Sequence, residues 1–209
     1  SAGVLAVVLL IIAAIANAPV FHPAAAALLA TYFLLNLAYS FGLKDMPIVD
    51  IAILAAGFVL RVIYGAILTE IVISNWLYLA VFALSFYLAL GKRRGELLTV
   101  GEGSTRAVLK AYPLDFLNRS MNMCLTLANV FYALWSMDQV TTSFYHNRFL
   151  IFTVPIVLLI TLKYSLTIEG ASDGDPVEVL LHDKILLVLV ILYLAVMLGI
   201  LYILSLIHI

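Results

Sequence analysis

Residues 48–68 read IVDIAILAAGFVLRVIYGAIL. As a helix the run is long enough to cross the hydrocarbon core of a bilayer, which takes roughly 20 mostly apolar residues. Its apolar positions are continuous rather than alternating, which excludes a strand of a β-barrel. Two charges interrupt it: Asp50 near its start and Arg61 three turns later. Eleven steps of a 3.6-residue helix almost close, so the two lie on nearly the same face. An arginine at that depth costs about 2.5 kcal/mol or more unless it is paired or meets water. Pairing with a carboxylate in another helix and direct contact with a polar substrate both answer that cost. Gly57 and Gly65, at four residues to either side of Arg61, permit close helix approach.

Six more runs of the same kind follow from the pattern, at 3–19, 24–41, 76–91, 119–136, 149–168 and 185–206. The whole chain of 209 residues is 65% hydrophobic and 11% charged, with a mean hydropathy of +1.16. A soluble domain has about a quarter charged residues. Soluble, disordered and nucleic-acid-binding classes are therefore excluded, and the net charge of −1 offers no field to draw a polyanion. The single cysteine, Cys124, sits in an apolar run and reads as a small apolar filler. The expected architecture is an all-α polytopic transmembrane helix bundle, one integral membrane domain over 1–209.

The loops set the orientation. Lys44, Lys92, Arg93, Arg94, Arg106, Lys110, Arg119, Lys163 and Lys184 fall on one side or at its boundary, with Arg148 on the other. The positive-inside rule makes the first side cytoplasmic, and Trp76, Trp135 and Tyr145 mark the outer interface. The long loop 92–118 carries a short surface helix, capped by Ser104, over 105–111, with Arg106 and Lys110 on one face and Val108 and Leu109 on another.

A transporter places ionisable groups at the midplane. Here they gather at the cytoplasmic span ends, which points to chemistry on a charged, soluble substrate. Three clusters carry this. In Tyr39-Ser40-Phe41-Gly42-Leu43-Lys44-Asp45-Met46-Pro47, the reversal at Gly42 and Pro47 lets Tyr39, Lys44 and Asp50 converge, although a snorkelling lysine in an ordinary turn explains the same residues. In Gly91-Lys92-Arg93-Arg94-Gly95-Glu96-Leu97, Lys92 and Glu96 share a face; with Arg93 they suit phosphate oxygens, Glu96 supporting a metal or a cation. Three cations at a helix end also simply suit the dipole and the anionic leaflet. In the third, Asp175, Pro176 and Glu178 match a helix capping box, while Asp173 has no such role and can face a substrate. No HExxH, CxxC, Walker A or GxSxG pattern occurs, and His22, His146, His182 and His208 lack ligand spacing.

Asn36 to Lys44, Asp50 and Gly57-Phe58-Val59-Leu60-Arg61 together resemble the fourth and fifth helices of the UbiA superfamily of intramembrane prenyltransferases. Gly91 to Leu97 and Gly174-Asp175-Pro176 resemble its decaprenyl-phosphate phosphoribosyltransferase branch. The resemblance implies nine helices around a cavity open to the cytoplasm and to lipid, Mg²⁺, and a diphosphate substrate. It implies seven of those nine helices here, with the first two and their aspartate-rich metal motif outside the chain, so that the fragment alone is inactive. Ser205–Ile209 reads as a non-native end. Where most of the superfamily has a second aspartate-rich motif, this chain has Lys92, Arg93 and Glu96; fixed cations suit a donor that carries a 5-phosphate as well as a diphosphate.

The activity so implied moves 5-phosphoribosyl from phosphoribosyl diphosphate to a polyprenyl (decaprenyl) phosphate at the cytoplasmic face of a bacterial inner membrane. Lys92, Arg93 and Lys44 are assigned to phosphates, Glu96 to metal or cation support and Tyr39 to positioning, with Asp50, Arg61 and Asp173 as further substrate-binding residues. The rivals are a transferase that moves a prenyl group from its diphosphate to an aromatic or other polar acceptor, and a non-catalytic transporter or scaffold.

Overall fold

The computed structural model describes residues 23–100, 107–144, 149–169 and 176–200. The span at 3–19, Gly101 to Arg106, Tyr145, His146, Arg148, the loop containing Asp173 and Asp175, and Ser205–Ile209 lie outside the described residues.

The described residues are helical, with no strand among them. Helix α1 is Pro23–Ser40, α2 Val49–Leu68, α3 Asn75–Val100, α4 Leu114–Met137, α5 Gln139–Phe144, α6 Val154–Glu169, α7 Pro176–His182 and α8 Lys184–Leu198. Short 3₁₀ turns, Leu43–Asp45, Ala107–Ala111 and Phe149–Thr153, join some of them. Four segments are long and apolar enough to cross a membrane: α1, α2, Asn75–Thr99 of α3, and Phe149–Glu169. Helix α8 is apolar but shorter as described. Helix α4 has the length, 24 residues, yet carries Asp115, Asn118, Arg119 and Asn122 in its first half.

Packing runs along the chain. Helix α1 lies on α2, α2 on α3, α3 most extensively on α4, and the row continues through α6 to α8. Buried positions repeat at helical spacing: Ile51, Ala55 and Val59 on α2, and Leu117, Met121, Cys124, Leu125 and Ala128 on α4. Gly91 faces α4, where a β-carbon would meet the Met121 methyl at 3.4 Å, an ordinary contact. Gly57 faces Tyr32 of α1, whereas Gly65 meets nothing within 4 Å among the described residues. The outer faces remain apolar and exposed, as with Leu158, Leu162 and Leu166 along α6, which is what lipid contact requires.

The structure moves several boundaries. Helix α3 does not stop at residue 91 but continues to Val100, because Lys92, Arg93, Arg94, Glu96, Leu97 and Leu98 are good helix formers that outweigh Gly95, and the run has no proline. Lys92, Arg93 and Glu96 therefore stand on a helix, not in a loop. Helix α4 begins at Leu114, five residues early, with Pro113 as its N-cap in extended backbone. The described part of the expected surface helix is one 3₁₀ turn, with Val108 and Leu109 buried and Lys110 exposed. Cys124 is buried and free.

Asp183 fastens the α6–α8 end. It caps α8, accepting from the backbone N–H groups of Ile185 and Leu186 at 3.0 and 3.1 Å. It also pairs with Lys163 at 2.6 Å and accepts from Thr167 at 2.7 Å. The hydrogen bond from Lys163 above all, then those from Thr167 and the Leu186 N–H, hold its carboxyl well below the usual carboxylate range. A carboxyl lowered by folding stabilises the native state fully above its unfolded value, 3.8, and loses that contribution as the pH falls towards the folded value. The thermal midpoint is thus expected to fall on acidification below about pH 4, with a shallower fall in Asp183→Asn. Identical acid limbs in the two proteins, followed by circular dichroism, would refute it.

Candidate functional site

Polar side chains collect at one end of the bundle, where α1 and α3 finish and α2, α4 and α8 begin. The chain leaves α1 through Gly42, whose φ of +140° lies where glycine is favoured. It turns through Leu43–Asp45 and enters α2 at Ile48, a β-branched residue at φ +68°. Backbone in that region costs on the order of 1–3 kcal/mol and persists only where its surroundings hold it.

What holds it is a buried cluster centred on Arg93, which is 1% exposed. Its Nε donates to Asp50 at 2.6 Å, one Nη to Glu96 at 2.7 Å and the other to the Tyr39 hydroxyl at 2.8 Å. Asp50, fully buried, also accepts from the Tyr112 hydroxyl. Tyr112 in turn accepts the Ile48 N–H at 2.5 Å. Burial first, then the hydrogen bond to Asp50, push the Tyr112 hydroxyl up to about 12, so it stays protonated and remains a donor. Each partner satisfies a group that would be expensive to bury alone.

Tyr39, Asp50, Arg93 and Glu96 thus meet in one place. Arg93 differs from the expected phosphate ligand: its guanidinium is turned inward and engaged by three side chains. Glu96 is 24% exposed and holds Arg93. Lys92, the residue before Arg93, is exposed, as is Lys44 on the reversal; these are the exposed cations next to the cluster in the chain, and a soluble anion can reach both. Among the described residues Arg61 pairs with no carboxylate, and it is not near this cluster. It lies about 16 Å along the axis from Asp50, exposed, donating to the Tyr32 hydroxyl at 2.6 Å. Its guanidinium sits 5.3 Å from the centroid of the Tyr32 ring and 5.5 Å from that of Phe58. Asp173 is outside the described residues.

Arg94 closes the other flank. It donates to Asn118 at 2.7 Å and to the Ile168 carbonyl at 2.9 Å, tying α3 to α4 and to the last turn of α6. The exposed pair of Arg119 and Asp115, 3.7 Å apart, contributes little. At the opposite end Trp76 stacks on Phe131, and Tyr132 meets Thr153 and Tyr193, an aromatic and hydroxyl layer with no described ion pair.

Among the described residues no three His, Cys, Asp or Glu side chains come together to hold a metal, and the carboxylate of Glu96 is already bound to Arg93. These residues alone do not make an Mg²⁺ site. In the sequence Tyr112 stands apart from the three clusters, and Arg94 lies in the second without an assigned role. Tyr112 stands in a polar loop directly before Pro113, and that position is its one visible signal.

No family model matches the chain. It is similar to curated proteins named decaprenyl-phosphate phosphoribosyltransferase. The relative from Mycolicibacterium smegmatis is 32% identical over 177 residues, 78% of this chain and 54% of the relative. The one from Corynebacterium glutamicum is 34% identical over 173 residues, 79% and 51%. The one from Mycobacterium tuberculosis is 28% identical over 190 residues, 90% and 62%. The chain spans about half the length of the first two. The name they share is that of the branch resembled by Gly91 to Leu97 and by the Gly174-Asp175-Pro176 loop.

Proposed function

We propose that this chain forms part of a multi-pass membrane phosphoribosyltransferase, which moves 5-phosphoribosyl from phosphoribosyl diphosphate to a polyprenyl phosphate. The observation that carries the reading is the likeness to relatives of that name over most of the chain. The site supports it chemically. One end of an otherwise apolar bundle holds a rigid, buried ion-pair cluster, with exposed Lys44 and Lys92 beside it. A donor with a diphosphate and a further phosphate needs fixed positive charge where negative charge builds up.

In this reading an oxygen of the lipid phosphate bonds to the anomeric carbon of the ribosyl unit. The carbon–oxygen bond to the diphosphate breaks, and pyrophosphate leaves with the electron pair. Lys92 neutralises the charge on the departing diphosphate as it develops, and Lys44 binds a donor phosphate equally in the ground and transition states. Arg93, Asp50 and Tyr39 fix the three helix ends that carry them. Mg²⁺ belongs to the proposal through the family resemblance, with Glu96 as the described residue that would support it. The charged end faces the cytoplasm of a bacterial plasma membrane, as its basic residues favour.

The test incubates the full-length protein, in vesicles containing polyprenyl phosphate, with ribose-labelled phosphoribosyl diphosphate. Label should enter the lipid extract with one pyrophosphate released per lipid product. Transfer of a labelled prenyl diphosphate onto an aromatic acceptor instead, or no transfer from either donor, would overturn the reading.

A further inference from the structure

Tyr112 lies on the segment between α3 and α4, which no part of the mechanism above uses, yet it is 4% exposed and touches the reversal that carries Lys44. Its hydroxyl makes two bonds of opposite sense: it accepts the N–H of Ile48 and donates to Asp50, in residues 64 and 62 positions distant. Ile48 is the strained residue at which the reversal enters α2, and Asp50 is the carboxylate that holds Arg93. The ring is seated on Phe116 in near-parallel stacking, 6.2 Å between centroids. A rigid phenol supported by a neighbouring ring can hold such a geometry at little entropic cost.

We propose that Tyr112 is a positioning residue for donor binding, a clamp that sets the Leu43–Asp50 reversal, and with it Lys44, against the Arg93 cluster. This rests on the phosphoribosyltransferase reading for the identity of the donor. Without the hydroxyl, the Ile48 N–H loses its acceptor and Asp50 loses one of its two partners. The reversal then samples other conformations, and Lys44 meets the donor phosphates only part of the time. Such a loss falls on ground-state binding of the donor and raises KM with kcat little changed.

The experiment compares Tyr112→Phe with the parent in the full-length protein. Phenylalanine keeps the ring and its stacking and removes only the hydroxyl. Amide hydrogen exchange in Leu43–Asp50 should accelerate about tenfold, while exchange in α6 stays unchanged. Unchanged exchange in the reversal, or equal acceleration in both regions, overturns the clamp whatever the enzyme's activity. In the transfer assay KM for phosphoribosyl diphosphate should rise about tenfold with kcat within about twofold; a fall in kcat at unchanged KM overturns the positioning role. If the parent protein transfers no phosphoribosyl group, the functional reading fails, and exchange alone decides the clamp.

Discussion

Replacing Asp50 by alanine is expected to destabilise the bundle by about 3–5 kcal/mol, the range for removing one partner of a buried ion pair. Arg93 keeps its charge at any accessible pH and sits 1% exposed, so it can neither shed the proton nor reach water. Glu96 and Tyr39 remain as partners, which favours the lower end of the range. Arg93→Met should also destabilise, since it leaves the buried Asp50 with Tyr112 as its described side-chain partner. The double variant Asp50→Leu/Arg93→Met removes both charges together and should recover most of the loss. Unfolding in detergent micelles, followed through Trp76 and Trp135, measures all three. A loss below about 1 kcal/mol for Asp50→Ala, or simple additivity in the double variant, would remove the cluster from its structural role.

The second large effect concerns activity without stability. Lys44→Ala and Lys92→Ala should each lower kcat/KM for phosphoribosyl diphosphate by about 10–100-fold, the scale of one charge-assisted hydrogen bond to phosphate. Both side chains are exposed, so the thermal midpoint should hardly move. Transfer should weaken further with salt, since exposed charges are screened beyond about 10 Å at 0.1 M. Undiminished transfer by both variants would exclude these lysines from the donor site.

Membrane-spanning helices could be read from composition and run length because hydropathy is nearly additive along a segment. The exceptions are instructive. Helix α4 is too polar for a span by composition, and Asn118 explains part of why: it accepts from Arg94 across the helix interface. Helix α3 runs past residue 91 although its run of cations reads as a loop, because the packed neighbour that buries one of them is set by tertiary contacts. Lys92 and Arg93 are adjacent and equally basic, and 100° of helical rotation sends one outward and the other into Asp50. Arg61 shows the converse. Its azimuth matches that of Asp50, but the two sit at different depths, and its partner is Tyr32 on α1.

The sequence by itself determined the solvent this protein lives in, the helical class and the end at which its charges gather, because each of these sums over local residues. It also supplied four of the five side chains in the buried cluster. Only the tertiary structure decided what they do to one another. Tyr39, Asp50 and Tyr112 reach Arg93 or each other across 43 to 62 positions of chain, and a hydrogen bond closes only when packed helices bring its atoms to within about 3 Å. That requirement of distance and direction turned an apparent phosphate ligand into the residue that organises the site.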